Sequence, residues 1–223
     1  MTQQWIGQQI IWGYQMFYVD YNPVKERNLK RREKYPKELV DKLDYVLEKG
    51  ENLQVIKRRR NVEVNTGDVF VLTFDGTFYF YGKVLLANID HINKSNWING
   101  CHVIFVFKNK TLNKTLDDFK PDYDNLFADG PKIVTTGYWK QGRFETIGNI
   151  PLTEEEKNLD YGFCDSIDFD PGFKMINADG TDMDHMPKYF NGYGVLVYTG
   201  IYSYIKNAAI LEPSILEPPV KKE

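Results

Sequence analysis

The chain has little of what metal and thiol chemistry uses: two cysteines and three histidines in 223 residues. Two cysteines cannot build a disulfide scaffold. Cys101, Cys164, His91, His102 and His185 show no C-x-x-C, H-x-x-x-H or H-E-x-x-H spacing, so no metal site is assigned. Cys101 and His102 are neighbours on a predicted strand, where side chains alternate between faces, and cannot act on each other as nucleophile and base. No G-x-S-x-G elbow and no phosphate-cradling glycine loop is present, and nothing selects a pair of carboxylates for glycoside chemistry. An enzyme is left open by these motifs but supported by none, and no catalytic residue and no cofactor is assigned. No apolar run approaches the ~20 residues of a membrane span. The opening MTQQWIGQQIIWGYQ has no basic residue before its apolar ones and no small-residue cleavage site, unlike a signal peptide; the expected location is the cytoplasm.

What is abundant is apolar and aromatic side chain, at 42% and 15%, which is enough for a core and excludes disorder as the main state. The net charge of −3 argues against a dedicated nucleic-acid binder. Charge is unevenly placed, however. Residues 1–66 hold 13 basic and 9 acidic residues, with basic runs at Lys25–Lys34 and Lys57–Arg60. Between Glu154 and Asp184 ten carboxylates face only Lys157 and Lys174. The basic runs, with Tyr35 or Trp12 to stack on bases, support the alternative reading of a nucleic-acid-binding or regulatory module. A solvated strand edge explains them equally well.

Residues 24–34 read as a polar helix that Pro36 stops. The stripe Leu39, Val40, Leu43, Val46 and Leu47 predicts a second helix over Pro36–Lys49, capped by Gly50. Trp5–Tyr21 reads as strand. The strongest local signal is Asp68–Phe74, Asp75-Gly76, Thr77–Val84, a hairpin with a two-residue type I′ turn that pairs Leu72 with Tyr79, Val71 with Phe80 and Phe70 with Tyr81. Both of its faces are apolar, so it should be covered on both sides or curl. Further strands are expected at Cys101–Phe107, Lys132–Tyr138, Phe144–Ile150 and Tyr193–Tyr198. The fold class is α+β, a predominantly antiparallel sheet or SH3-like barrel with two N-terminal helices. The expected organisation is an extension over 1–66, a β-rich domain over 67–210 and a flexible tail over 211–223.

Two blocks look familiar together. Gly67-Asp68-Val69-Phe70 with Tyr81-Gly82-Lys83-Val84, and later Phe144 followed by Ile147-Gly148-Asn149-Ile150-Pro151-Leu152, resemble the immunity protein 26 family of bacterial polymorphic-toxin systems over roughly 67–198. Physically these residues read as scaffold: Gly67 and Gly148 for backbone geometry, Phe70, Tyr79, Phe80 and Ile147 for the core. The resemblance implies a non-enzymatic protein that binds and neutralises a cognate toxin domain, a nuclease being one such toxin; the composition disfavours nucleic acid, and no membrane partner is expected. It carries over no contact residue. The charge map supplies candidates: Asp165, Asp168, Asp170, Asp179, Asp182 and Asp184 as a phosphate-mimicking face, with Tyr161, Phe163 or Phe169 as anchors. The same carboxylates do not fit a calcium-loop pattern, and solvated turns explain them without a ligand.

Overall fold

The computed structural model describes residues 6–11, 14–44, 51–166, 172–197 and 199–220. The expectations for Trp12, Val46, Leu47, Asp168, Phe169, Asp170 and Tyr198 lie outside them.

The chain opens with strands β1 (Ile6–Ile11) and β2 (Tyr14–Val19), then helix α1 (Pro23–Arg32) and a single turn α2 (Lys37–Val40) that tightens into a 3-10 turn over Asp41–Asp44. Strands β3 (Asp68–Leu72), β4 (Tyr79–Leu86), β5 (His102–Thr111) and β6 (Lys132–Val134) follow, then α3 (Gly137–Lys140) and β7 (Glu145–Asn149). The last part holds α4 (Glu154–Lys157), β8 (Tyr161–Ser166), β9 (Phe173–Ile176), β10 (Tyr189–Gly192) and α5 (Gly200–Leu211). Two five-stranded sheets result, ordered β6-β5-β4-β3-β7 and β1-β2-β9-β8-β10. The first is antiparallel throughout; the second ends in a parallel β8–β10 pair.

The first sheet is the middle layer, and its strict alternation explains why both faces of the hairpin are apolar. Phe70, Leu72, Phe80, Val84, Ile104 and Val106 point to one side, where Trp139, Phe144 and Ile201 and Ile205 of α5 cover them. Val69, Val71, Tyr81, Val103, Phe105 and Phe107 point to the other and meet Phe163, Ile176 and Tyr189 of the second sheet. Val24 of α1 joins Cys164 and Met175 beyond that second sheet. The two resembling blocks are thus one structure. β3 pairs with β7, placing Val69 opposite Gly148, and Asn149 Nδ2 donates to Asp68 Oδ1 at 2.8 Å.

Several expectations are corrected. The hairpin register is Phe70 opposite Gly82, Val71 opposite Tyr81 and Leu72 opposite Phe80, one residue away from the two-residue turn. A type I′ turn needs positive φ at both central residues, but here Gly76 alone has it, at +88°. Thr73 Oγ1 accepts from the Gly76 amide and Asp75 Oδ1 from the Thr77 amide, so side chains hold a longer loop. The slip brings the Phe70 ring over Gly82, the one residue with no side chain to obstruct it.

The helix expected over Pro36–Lys49 is one α turn and one 3-10 turn as far as Asp44; a helix this short persists only through packing, and of the stripe Leu43 alone is buried within that span. The strand expected to reach Tyr138 stops at Val134, because Tyr138 and Trp139 bury themselves from the α3 turn instead. Val195 makes only an isolated bridge to Ile133 in place of a strand over Tyr193–Tyr198. No ladder joins β6 to β7 among the described residues, so the sheet is open rather than a closed barrel. Part of the expected tail is docked: Ile215 is buried, and Lys110 donates to the carbonyls of Ser214 and Glu217. Among the described residues no helix is long and apolar enough to cross a membrane.

Candidate functional site

Among the described residues Asp165 lies on β8, Asp182 makes an isolated bridge to Ile176 of β9, and Asp179 and Asp184 stand in the turns that follow β9. Asp165 stands opposite Lys174 across the ladder. Lys174 Nζ also contacts Asp182 Oδ1 at 2.9 Å. Asp179 caps the turn that follows β9, accepting from the Thr181 amide at 3.0 Å and its hydroxyl at 2.7 Å. Asp184 and Asp160 hold the His185 ring between them, at 2.7 Å from Nδ1 and 3.0 Å from Nε2. Hydrogen bonds to these two carboxylates raise the His185 pKa above that of a free imidazole. Five carboxylates and one lysine leave this face strongly negative.

Of the anchors expected beside them, Phe163 is fully buried between the sheets and is a correction: it supports the strand and presents nothing to a partner. Tyr161 is partly buried with its ring edge-on to Phe105 at 5.9 Å. Burial, with Asp179 nearby, pushes its hydroxyl up to about 12. Asp165 and Asp179 converge on Tyr193, whose hydroxyl burial and those two carboxylates raise to about 12.

Exposed apolar groups come instead from the Asn-rich loop between β4 and β5, which the sequence reading passed over. The Ile92 amide donates to the Asp179 carbonyl at 2.8 Å, which ties this loop to the acidic turn. The buried His91 ring packs against Gly180 and lies 6.3 Å from the Tyr193 ring. Trp97, beside Gly194, is 65% exposed and Ile92 63%. A tryptophan in a loop otherwise rich in asparagine was the available signal.

A second constellation is internal. Lys83, in the middle of the apolar β4, lies 2.8 and 2.7 Å from the two carboxylate oxygens of Glu156. Glu156 also accepts from Tyr123 Oη at 2.7 Å and from the Thr153 amide at 3.0 Å. Thr153 and Glu156 form the capping box of α4. Burial pushes the Glu156 carboxyl up, but the bonds from Lys83, Thr153 and Tyr123 outweigh it and hold the group below the usual glutamate value. The lysine inside an apolar run and the T-x-x-E spacing were both legible, though not that they meet. Its side chains 1% and 5% exposed, the pair pins α4 to the central sheet. Among the described residues no group of three or more histidine, cysteine or acidic side chains is placed to hold a metal.

Residues 65–169 match the profile of the family described as Immunity protein 26. No curated protein and no solved structure matches the chain. The matched span contains the whole first sheet and both resembling blocks, together with β8. Asp179, Asp182, Asp184 and α1 lie outside it.

Proposed function

We propose, from the match of residues 65–169 to the immunity protein 26 family, that the chain binds and neutralises a cognate toxin domain in the cytoplasm, without chemistry of its own. The surface proposed for the contact is the acidic face of Asp160, Asp165, Asp179, Asp182 and Asp184, with Asp168 and Asp170 as its expected continuation and Trp97 and Ile92 as apolar anchors. One observation supports this reading: five carboxylates set against Lys174 and His185 lie beside Trp97, which is 65% exposed, and the Ile92–Asp179 backbone bond ties the two together. Acidic groups steer a cationic partner and fix its register, while a half-exposed aromatic supplies the burial that holds it. A toxin with a cationic substrate cleft, such as a nuclease, is the partner this charge fits.

The test is co-expression with the toxin domain encoded beside this chain's gene. Changing Asp165, Asp179, Asp182 and Asp184 to Asn, or Trp97→Ala, should abolish protection while leaving the melting temperature within a few degrees. Full protection by both variants would remove this surface from the reading. The basic N-terminal third supports a nucleic-acid reading less well, because three of its arginines are already paired: Arg27 and Arg31 with Asp129, and Arg59 with Glu145.

A further inference from the structure

Helix α1 carries a feature that toxin binding does not use. Arg27, Lys30 and Arg31 of α1 recur at i, i+3 and i+4, and Lys34 in the turn just past the helix continues the row, so the basic run that read as polar all round has a cationic face. That face forms one wall of a cleft of about 630 Å³, within the size range of small-molecule sites. Aromatic side chains line it as well: Tyr123 from the matched segment, with Tyr189 and Phe190 of β10. Arg27 stacks on the Phe190 ring at 4.4 Å, and Lys188 sits 4.6 Å from the Tyr189 ring centroid.

The charges around the cleft do not cancel. Five cations, Lys188 included, face Glu26, Asp124 and Asp129. Each carboxylate already has a cation: Glu26 holds Lys30 at 3.1 Å, Asp129 holds Arg31 at 2.6 Å and Asp124 holds Lys188 at 3.1 Å. The guanidinium of Arg27 is aimed by donating to the Phe190 carbonyl and to Asn191 Oδ1. Yet the Nε atoms of both Arg27 and Arg31 are shielded from solvent without an acceptor. Unsatisfied buried donors carry a cost that an ion or ligand commonly relieves. The Lys30 and Lys34 side chains stand exposed at the mouth.

We propose that this cleft binds a nucleoside phosphate, its base against the Tyr123, Tyr189 and Phe190 rings and its phosphate on the cationic face of α1. Flat aromatic rings suit a base, since every base offers a π-face. Phosphate oxygens would meet Arg31 and the exposed Lys30 and Lys34 ammonium groups, since Arg27 already spends Nη1 and Nη2 on Phe190 and Asn191. Both halves of the ligand are needed to use both the rings and the cations. The site is separate from the acidic face, so toxin protection and nucleotide binding should respond to different substitutions.

The test is calorimetric titration of the full chain with AMP, GMP, CMP, UMP, the corresponding triphosphates and inorganic phosphate. The expected result is saturable binding of at least one nucleotide, weakening as salt rises, with inorganic phosphate at least about tenfold weaker. Lys30→Ala with Lys34→Ala changes only exposed side chains and should weaken binding about tenfold with melting unchanged. Arg31→Lys, which keeps the charge and loses the fork, should also weaken it. The proposal is overturned by no saturable binding up to about 1 mM, by inorganic phosphate binding as tightly as the nucleotides, or by variants that bind like the parent chain.

Discussion

Replacing Lys83 by Met isolates the buried Lys83–Glu156 pair. Lys83 and Glu156 side chains are 1% and 5% exposed, so removing the ammonium leaves a carboxylate in a place water barely reaches. Removing one member of such a pair costs about 3–5 kcal/mol, far more than the pair's net worth against an apolar replacement. The lower half of that range is expected here, because Tyr123 and the Thr153 amide still donate to Glu156. In a chain of this size that is a fall of about 10 °C in melting temperature. Guanidinium titration of Lys83→Met and of Lys83→Met/Glu156→Gln measures it. The double variant keeps an acceptor for Tyr123 without the orphaned charge and should recover more than half of the loss. Acid should mimic the single variant. The folded carboxyl is held below its unfolded value of 4.5, so its contribution is present above that pH and disappears as pH falls through the folded pKa. A single variant costing under about 1 kcal/mol, or a double variant no better than the single, would refute the reasoning.

Further outcomes follow from the same packing. Gly82→Ala would put a methyl 2.2 Å from Phe70 Cζ; it should cost about 1–3 kcal/mol in denaturant titration, and Phe70→Leu in the same chain should return part of it. Burial lowers the His102 pKa to about 4, while its Nδ1 accepts the Asn88 amide at 3.1 Å and so carries no proton. In NMR titration His102 should therefore change charge near pH 4 and His185 above 6.5. Because the unfolded His102 takes up its proton near 6.5 and the folded one does not until about 4, stability should fall by about 3 kcal/mol as pH drops across that window; a flat profile there would contradict the buried neutral ring. Trp97, two-thirds exposed, should tolerate Ala in thermal melts while losing partner affinity.

The central sheet was legible because its strands carry their own signals: β-branched and aromatic runs, an Asp-Gly punctuation and glycines at fixed places. The register was not, since the loop length is set by Thr73 and Asp75 bonding to the backbone, which composition does not reveal. The second sheet was hidden for another reason. β8, β9 and β10 are four to six residues long and contain Asp165, Lys174 and Asn191, and they exist because β2 and the central sheet supply partners from far along the chain. Helix α5 was missed because Ile201, Tyr202, Tyr204 and Ile205 favour strand locally, whereas packing Ile201 and Ile205 on the central sheet decides for helix. At the candidate surface the carboxylates were visible as a charge excess. Which aromatic stands among them depended on the fold, which buries Phe163 and exposes Trp97.

Amide hydrogen exchange of the chain, alone and saturated with the toxin domain encoded beside it, reads the contact surface directly. Slowed exchange should concentrate at residues 88–100, 161–166 and 173–185, with little change over 51–63 and 137–150. Slowing confined to those last two segments would place the partner on the opposite side of the central sheet and contradict the acidic face as the site of inhibition.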